Sequence, residues 1–393
     1  ENVPRHILFY LTAGGQKAGK NVQAVFWKQG NNPTFHFISC AEGNSGSRMR
    51  AGIAVDGKGQ SRIWGDRIVI DWKEEAEKTY GFRVDVLRRG RGSWILETDL
   101  GLRLLKEYRG SVNRLEFEEA VLTELENAGF DQVDQYVRSR EGALIATGED
   151  GGRYILKKWF LDRECSLRDS REILTAVSRI AALHRAFRKI SWREEWDLGS
   201  MVPPGVDEEM KRHSREMKRA SAFIRKKRKK SEFELCVMQH FHCYYEQALE
   251  AQDGLELLEK KQGQSRLFLC HGDLDQHHIL IGSQDVAFIE FNQMHLGDQM
   301  TDLYRFMRKA MEKHGWDPRL GASMMESYDR VLPTSREDRA CLYYLFLYPE
   351  KYWKQLNYYM NTNKAWIPEK NVEKLKLLEE QETGRRQFLR EIR

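Results

Sequence analysis

What the sequence lacks sets the first limits on this chain. Its six cysteines are scattered, without a CxxC pair or a zinc-type spacing, which indicates reduced thiols rather than a disulfide framework or a zinc site. No apolar run approaches the ~18 residues of a membrane span. Charge excess is also small, with 64 basic against 59 acidic residues and a net charge of +5, too little to indicate nucleic acid by itself. These absences predict a soluble, cytoplasmic protein with no membrane partner, and they argue against nucleic acid as its main partner.

What the sequence contains is typical of a packed globular protein. Hydrophobic residues make up 41% and aromatic residues 11% of the chain, far from the composition of a disordered segment. A length of 393 residues is enough for two domains, or for one bilobal domain with a sizeable core.

Residues 1–70 differ from the rest of the chain in composition and in hydrophobic pattern. They hold ten of the 30 glycines and show only isolated apolar patches, with no sustained helical or strand period. We expect a weakly ordered, glycine-rich appendage over this range, without periodic apolar faces to bury in a core.

Clear strand and helix periodicities begin at about residue 80. Residues 82–108 alternate well enough for three strands, and residues 114–130 carry one apolar face that ends at Gly129, which suits a helix with a glycine cap. Two more strand candidates follow at 142–149 and 152–160. Strands, a helix and further strands predict a small lobe over 71–160, followed by a mostly helical lobe over 161–393.

Two features of the helical lobe have more than one interpretation. His184 ends an apolar stripe in a predicted helix at 170–190, and we favour a core or capping histidine over a catalytic one, since no second ligand or nucleophile lies nearby in sequence. The most basic tract, residues 211–234, could bind a polyanion. Its apolar residues favour a helix docked by a narrow face, with its lysines in water.

One stretch carries the strongest chemical signal: "LFLCHGDLDQHHILIGSQDVAFIEFNQ", residues 267–293. Short apolar runs flank the polar loop "HGDLDQH", so the loop is expected between buried strands. Phosphoryl transfer needs a carboxylate to accept the proton of the attacking hydroxyl, and oxygen ligands that hold Mg²⁺ against the phosphates. His271 and Asp273 offer the catalytic group, and Glu290 at the next strand end offers a metal ligand. An Asx-turn at Asp273 is the structural alternative.

These residues resemble a known family. The pattern "HGDLDQHH…FIEF…GDQMTDLYRFMRK" is similar to the motif of aminoglycoside phosphotransferase-like kinases, which reads HGDxxxxN followed by an Asp-led strand end. The segments "WILETDLGLRLLKEYRG", "WFLDREC" and "YPEKYWKQLNYYMNTNKAWIPEKNVEKL" resemble more closely the spore coat proteins of the CotS type from endospore-forming bacteria. The resemblance covers about residues 70–392.

The resemblance implies a fold and a nucleotide site. The fold is α+β, a bilobal protein-kinase-like fold with a small, mostly antiparallel β lobe that has one helix, and a larger helical lobe. Lys106 would contact phosphate, with Glu118, or failing that Glu119, as its helix partner. Trp159 and Phe160 would line the adenine edge of an ATP site.

It also implies roles around the quoted loop. Asp273 matches the catalytic aspartate, and Asp302 matches a buried aspartate that braces the loop; Asp302 is independently well placed to cap the helix that follows. His278 stands where the family has a metal-binding asparagine, and Glu290 where it has a metal-binding aspartate.

The two departures bear on activity. Imidazole is a poor ligand for Mg²⁺, which prefers oxygen. Glu290 lengthens the carboxylate arm by one methylene, and a misplacement of ~1 Å near the chemistry can cost on the order of a hundredfold in rate. His278 and Glu290 could instead form a buried pair that holds the loop with no metal.

Two function hypotheses follow, and a third is weaker. The first is a structural or assembly protein of the spore coat, a pseudokinase made in the mother-cell cytoplasm that contacts other coat proteins and binds ATP and Mg²⁺ weakly or not at all. The second is an active ATP-dependent kinase that phosphorylates a hydroxyl of a small molecule such as a sugar, an aminoglycoside or a choline-like compound. Nucleic-acid binding through residues 211–230 is the third.

Overall fold

The structure, a computed structural model, describes residues 71–393 apart from 91, 162, 197–198, 200, 263–266, 283–284 and 363–366. Nearer the N-terminus it describes three short strands, β1 (Phe9–Tyr10), β2 (Gln23–Phe26) and β3 (Ile38–Cys40), paired antiparallel in that order. The rest of the appendage predicted over 1–70 lies outside the described residues.

One compact unit comprises Glu1–Ser111 and Gln135–Phe160. Beyond β1–β3 it contains the helix α1 (Trp72–Tyr80) and an antiparallel sheet. The strands of this sheet are β4 (Val84–Arg89), β5 (Ser93–Thr98), β6 (Gly101–Glu107), β7 (Tyr136–Val137), β8 (Ala146–Thr147) and β9 (Arg153–Lys158). Their order is β4-β5-β6-β9-β7, with β8 also paired to β9. The three strands predicted over 82–108 are confirmed as β4, β5 and β6.

The helix α1 was not predicted. Asp71 caps its first turn by accepting hydrogen bonds from the backbone N–H groups of Lys73 and Glu74, at 3.0 and 3.4 Å. Gly81 ends it in the left-handed conformation, at φ 82°. Ala76 is its one fully buried residue, so no apolar stripe was present in the sequence to indicate a helix.

A second compact unit comprises Val112–Asp134 and Leu161–Arg393. Its helices are α2 (Val112–Asn127), α3 (Ser170–Phe187), α4 (Val206–Arg225), α5 (Glu232–Gln262), α6 (Met300–Lys313), α7 (Pro318–Asp329), α8 (Arg336–Leu347), α9 (Glu350–Asn361) and α10 (Glu369–Ile392). None of the helices in the described part of the chain has the length and apolarity needed to cross a bilayer.

Two small antiparallel sheets complete the second unit. One has the order β10-β12-β13, from β10 (Arg163–Glu164), β12 (Ile279–Ile281) and β13 (Val286–Phe288). The other pairs β11 (Phe268–Cys270) with β14 (His295–Gly297). The strands predicted on either side of the polar loop are confirmed as β11, β12 and β13. Antiparallel sheets together with a larger helical portion confirm the predicted α+β class.

The predicted helix after the third strand is confirmed as α2. Its apolar face, formed by Leu115, Val121, Leu122 and Leu125, is fully buried. Gly129 follows the helix at φ 80°, which lets the Phe130 N–H reach back to the Leu125 carbonyl at 2.8 Å. A residue with a side chain would be strained in this left-handed position.

The basic tract forms the end of α4 and the start of α5. Of the apolar residues in this tract that predicted a docked helix face, Met217, Ile224 and Phe233 are buried, whereas Phe223 is 40% exposed. Lys227 departs from the predicted solvated face because its Nζ lies 2.5 Å from Oε1 of Glu234, which is buried. Burial raises the pKa of Glu234, but its contacts with Lys227, Tyr359 and the Ser231 N–H outweigh burial and hold that pKa below its usual range.

We expect Lys227→Gln to destabilise the fold by about 2 kcal/mol, since it leaves a buried carboxylate without its ion-pair partner. The free energy of unfolding in urea measures this, with the exposed Lys229→Gln as the matched control, expected within about 0.5 kcal/mol of the wild type. Because the pKa of Glu234 is depressed in the folded protein, the difference should shrink as the pH falls through that pKa. Equal stability of the two variants at neutral pH would contradict this role.

Candidate active site

The loop after β11 depends on a glycine. Gly272 has φ 85°, and a Cβ atom on it would lie 2.0 Å from the carbonyl oxygen of Gln293. Only glycine fits this close approach to the segment before β14. The approach places Asp273 next to the residues that follow Glu290.

Asp302 holds this loop from the first turn of α6. Its Oδ2 accepts the His271 N–H at 2.6 Å, and its Oδ1 accepts the Gly272 N–H at 3.0 Å. The predicted bracing role is thereby confirmed. The predicted helix-capping role is wrong: α6 begins at Met300 after Gln299, so Asp302 lies inside the helix and its carboxylate is directed to the loop.

The charge of Asp302 is stabilised although the side chain is buried. Burial raises its pKa, but the contact with His184, 3.6 Å from Oδ2, and the nearby His271 and His295 outweigh burial and lower the pKa of Asp302 to about 2. His184 is itself buried, and its Nδ1 lies 2.8 Å from the Tyr328 hydroxyl. The interpretation of His184 as a core histidine is confirmed.

His271 is buried within the loop, with both ring nitrogens engaged. Its Nε2 donates to the carbonyl of Ile289 at 3.0 Å, and its Nδ1 accepts the Asp273 N–H at 3.3 Å. Burial lowers the pKa of His271 to about 4, which keeps the ring neutral at physiological pH. A catalytic role for His271 stays a prediction, and its geometry is that of a residue that positions Asp273.

Asp273 presents its carboxylate at the surface of the second unit, with the side chain 44% exposed. Arg305, one turn after Asp302 on α6, places its Nη1 3.0 Å from Oδ1 of Asp273 and 2.5 Å from the Gly272 carbonyl. An Asx-turn was the structural alternative at Asp273. Asp275, two residues later, forms such a turn, because its Oδ1 accepts the His277 N–H at 2.8 Å.

His278 is turned toward the loop. Its Nδ1 donates to the Asp273 carbonyl at 2.6 Å and lies 3.5 Å from Oδ1 of Asp275. Asp275 also forms an ion pair with Lys309 on α6, at 2.5 Å. Since a carbonyl oxygen can only accept, Nδ1 carries the proton, and Nε2 is the ring nitrogen left for another partner.

Glu290 follows β13 in a strained backbone conformation. It is in the left-handed region at φ 65° and ψ 56°, which costs a residue with a side chain about 1 kcal/mol. Its N–H donates to Oδ2 of Asp134 at 2.9 Å. The backbone beside it is fixed by the hydrogen bond from the Ile289 N–H to the His278 carbonyl, at 3.1 Å, so residues 278 and 290 are close along the β12–β13 hairpin.

These groups surround one open depression of about 370 Å³ within the second unit. It is lined by Gly272, Asp273, His278, Glu290, Asn292, Gln293 and Arg305. The structure thus brings together the predicted Asp273, His278 and Glu290.

The donor set of this depression does not suit Mg²⁺. It combines an imidazole, a carboxylate that already forms an ion pair with Arg305 and a second carboxylate, whereas Mg²⁺ requires near-octahedral oxygen ligation. Within the described ranges, no three His, Cys, Asp or Glu side chains form a group that could hold a metal ion.

The remaining predicted residues lie on other elements. Lys106 is on β6, opposite Ser93 and Ile155, and Trp159 and Phe160 directly follow β9. These three belong to the first unit, and their roles at a nucleotide stay predictions, as does that of Glu119 on α2.

Glu118 is buried on α2 and forms an ion pair with Arg114, with 2.8 Å between Nε and Oε1. Its pairing with Lys106 also stays a prediction.

Two arginines were missed by the sequence analysis. Arg114 donates from Nη2 to the carbonyls of Asn292 and Met294, at 3.1 and 2.5 Å, and so fixes the segment that follows Glu290. Arg305 was within the quoted "TDLYRF", three positions after Asp302, a helical spacing that could have placed it beside the braced loop.

Comparisons with known proteins show the family and the fold of this chain. Residues 86–341 match the profile of the phosphotransferase enzyme family, which covers more than half of the chain. A solved aminoglycoside phosphotransferase from Alicyclobacillus acidocaldarius is similar in fold, with a TM-score of 0.71 and 15% identity over 86% of this chain and 98% of that one. A spectinomycin phosphotransferase solved with AMP has a TM-score of 0.54 and 12% identity over 78% and 93%. No curated protein matches the sequence.

We expect Asp302→Asn to lower the free energy of unfolding by about 3 kcal/mol, because an amide cannot satisfy both loop N–H groups as the carboxylate does. The pKa of Asp302 falls from 3.8 to about 2 on folding, which corresponds to about 2 kcal/mol of stability. This contribution is present above pH 4 and is lost as the pH falls toward 2, so the difference between the variant and the wild type should shrink by about 2 kcal/mol over that range.

Urea unfolding between pH 2 and pH 7 measures both effects. The matched control is Asp317→Asn at the exposed cap of α7, where asparagine caps as well as aspartate and a change of about 0.5 kcal/mol or less is expected. A difference between Asp302→Asn and the wild type that does not depend on pH would contradict the assignment.

Proposed function

This chain belongs to the phosphotransferase enzyme family, and we propose that it acts in the spore coat, as a kinase-like protein whose site has lost most of its Mg²⁺-dependent transfer. The observation that carries the proposal is the contrast around one loop. The Asp302 brace that positions the loop is kept, at 2.6 and 3.0 Å. At the two positions where the resemblance implies a metal-binding asparagine and aspartate, this chain has His278 and Glu290.

The charges around the depression support the proposal that it binds a divalent metal ion only weakly. One carboxylate oxygen of Asp273 is engaged by Arg305 at 3.0 Å, and the guanidinium places a fixed positive charge where a divalent cation would approach. Repulsion between the two cations opposes metal binding. The His278 Nδ1 is used by the Asp273 carbonyl, so only Nε2 is left to coordinate.

The coat assignment rests on the sequence. The segments "WILETDLGLRLLKEYRG" and "YPEKYWKQLNYYMNTNKAWIPEKNVEKL" carry the resemblance to spore coat proteins of the CotS type. We propose that the protein is made in the mother-cell cytoplasm, assembles onto the coat and contacts other coat proteins there. A retained fold without turnover is compatible with a role in assembly.

A second candidate function is an active ATP-dependent kinase for a small-molecule hydroxyl. The exposure of Asp273 on a braced loop favours it, since a carboxylate in that position could accept the proton of the attacking hydroxyl. The hydroxyl oxygen would form a bond to the γ-phosphorus of ATP while the bond to the ADP oxygen breaks.

Fractionation of sporulating cells tests the proposed function and separates the two candidates. A tagged copy of this chain should be recovered in the coat extract of purified spores. Asp273→Ala should be recovered there in the same amount, because assembly does not use transfer. Recovery only in the mother-cell lysate would contradict the coat role, and a coat defect caused by Asp273→Ala would favour the kinase.

Restoring the family pattern should increase nucleotide turnover. His278→Asn combined with Glu290→Asp replaces the imidazole by an amide oxygen and shortens the carboxylate arm. We expect Mg²⁺-dependent ATP hydrolysis to rise about tenfold or more in the double variant, and by more than the product of the two single effects, since both residues would act on one shared ion. Phosphate release from ATP measures it, with Asp273→Ala in the double-variant background as the control.

A wild-type rate of roughly 1 to 100 per second, the range of working kinases, would contradict the loss of transfer.

A further inference from the structure

A second cavity lies in the same unit and shares no lining residue with the depression around Asp273. Its volume is about 420 Å³, within the range of about 300–1,000 Å³ that is typical of small-molecule sites. It is bordered by residues at the start of α4, the C-terminal part of α5, β14 and α8. We call it the α4–β14 pocket.

The walls of the α4–β14 pocket are mainly aliphatic. Leu255 and Leu258 on α5, Leu296 on β14 and Leu345 on α8 contribute to them. The hydrogen bond from the Leu296 N–H to the Met201 carbonyl, at 2.7 Å, fixes the segment before α4 against β14. Aliphatic walls offer no partners to the hydroxyls of a polyhydroxylated sugar, and each unpaired hydroxyl would weaken its binding.

The charged residues that line the pocket are mainly negative. The described residues that line it include three carboxylates, Asp207, Glu259 and Asp298, and one histidine, His295. None of these described lining residues is a lysine or an arginine. Two carboxylates meet beside Gly205: a Cβ atom on that glycine would lie 2.4 Å from Oδ1 of Asp207 and 3.3 Å from Oε2 of Glu259.

Lysines outside the pocket compensate this charge only in part. Lys211 forms ion pairs with Oδ2 of Asp207 and with Glu256, at 2.9 and 2.6 Å, and Lys260 pairs with Glu256 as well. Glu259 lies beside Asp207, and partial burial, followed by the charge of Asp207 and a hydrogen bond with its side chain, raises the pKa of Glu259. A bound cation would relieve this repulsion.

We propose that the α4–β14 pocket binds a small amphipathic organic cation, with its apolar body against the leucines and its ammonium group at Asp207 and Glu259. Anionic ligands are repelled by the carboxylates, and neutral ligands gain only the burial of their apolar surface. The site goes beyond the proposed function, because binding there requires neither ATP nor transfer.

A ligand in the pocket would also lie close to the braced loop. His295, which lines the pocket, has its Nδ1 2.9 Å from the position a Gly272 Cβ would take. The strand β14 that carries it pairs with β11, from which the loop emerges.

Calorimetric titration of the full chain, without nucleotide, tests the ligand class with three matched probes. These are 4-phenylbutylamine, which is cationic at neutral pH, the neutral 4-phenylbutanol and the anionic 4-phenylbutyrate. We expect the amine to bind about tenfold or more tightly than the alcohol, the factor given by one favourable charge contact, and the carboxylate to bind more weakly than both. Equal affinity of the three probes, or tightest binding of the carboxylate, would overturn the proposal.

Variants place the binding in this pocket. Glu259→Gln should weaken amine binding about fivefold to tenfold, while Glu246→Gln, an exposed α5 residue that does not line the pocket, should leave it unchanged. Leu258→Trp should abolish binding of both amine and alcohol by filling the cavity. If that variant fails to fold, Val202→Trp at the rim, where the wild-type side chain is 55% exposed, gives the same test.

Amine affinity that none of these changes alters would place the site elsewhere. Asp273→Ala should not affect it, so failure of this proposal and failure of the proposed function give different results.

Discussion

The pair of hydrogen bonds that the Asp302 carboxylate accepts from the His271 and Gly272 amides is the constraint on which the site depends. It joins the first turn of α6 to the loop after β11 and requires a carboxylate with both oxygens directed inward. Once α6 is fixed in this way, Arg305 and Lys309 reach Asp273 and Asp275 from successive turns of the same face. The loop is therefore positioned by the contacts of one helix, together with the hydrogen bond from His271 to the carbonyl of Ile289.

The side of the site where a metal would bind is also held by hydrogen bonds. Glu290 keeps a left-handed backbone because its N–H is engaged by Asp134 and because Arg114 binds the two carbonyls that follow. Strain of about 1 kcal/mol is retained only where surrounding contacts enforce it. The scaffold of a phosphotransferase is thus intact around side chains that suit Mg²⁺ poorly, which is why we favour a role that uses the fold more than the chemistry.

Sequence patterns predicted the features that local spacing determines. The buried face of α2 and its end at Gly129, and the strands around the polar loop, all follow from apolar periodicity and glycine placement. The brace by Asp302 followed from the family resemblance, whereas its capping role was inferred from position alone and was wrong. A residue in the first turn can direct its carboxylate to the helix or away from it, and only the tertiary fold determines which.

Other features depend on contacts between distant segments and could not be derived from the sequence. The helix α1 buries only Ala76, so it has no periodic signal, and the pairing of β11 with β14 joins strands separated by more than twenty residues. Lys227 and Lys229 are the same residue type in one run, yet only Lys227 reaches the buried Glu234. Arg114 contacts residues nearly two hundred positions away.

The most direct test of the central claim is the affinity of the unmodified protein for ATP, measured by calorimetry with and without Mg²⁺. If His278, Glu290 and the Arg305–Asp273 ion pair leave no adequate Mg²⁺ site, Mg²⁺ should change the dissociation constant by less than about threefold, which is under 1 kcal/mol. A Mg²⁺-dependent increase in affinity of about a hundredfold or more, or about 2.7 kcal/mol, would contradict the account and identify a working metal site.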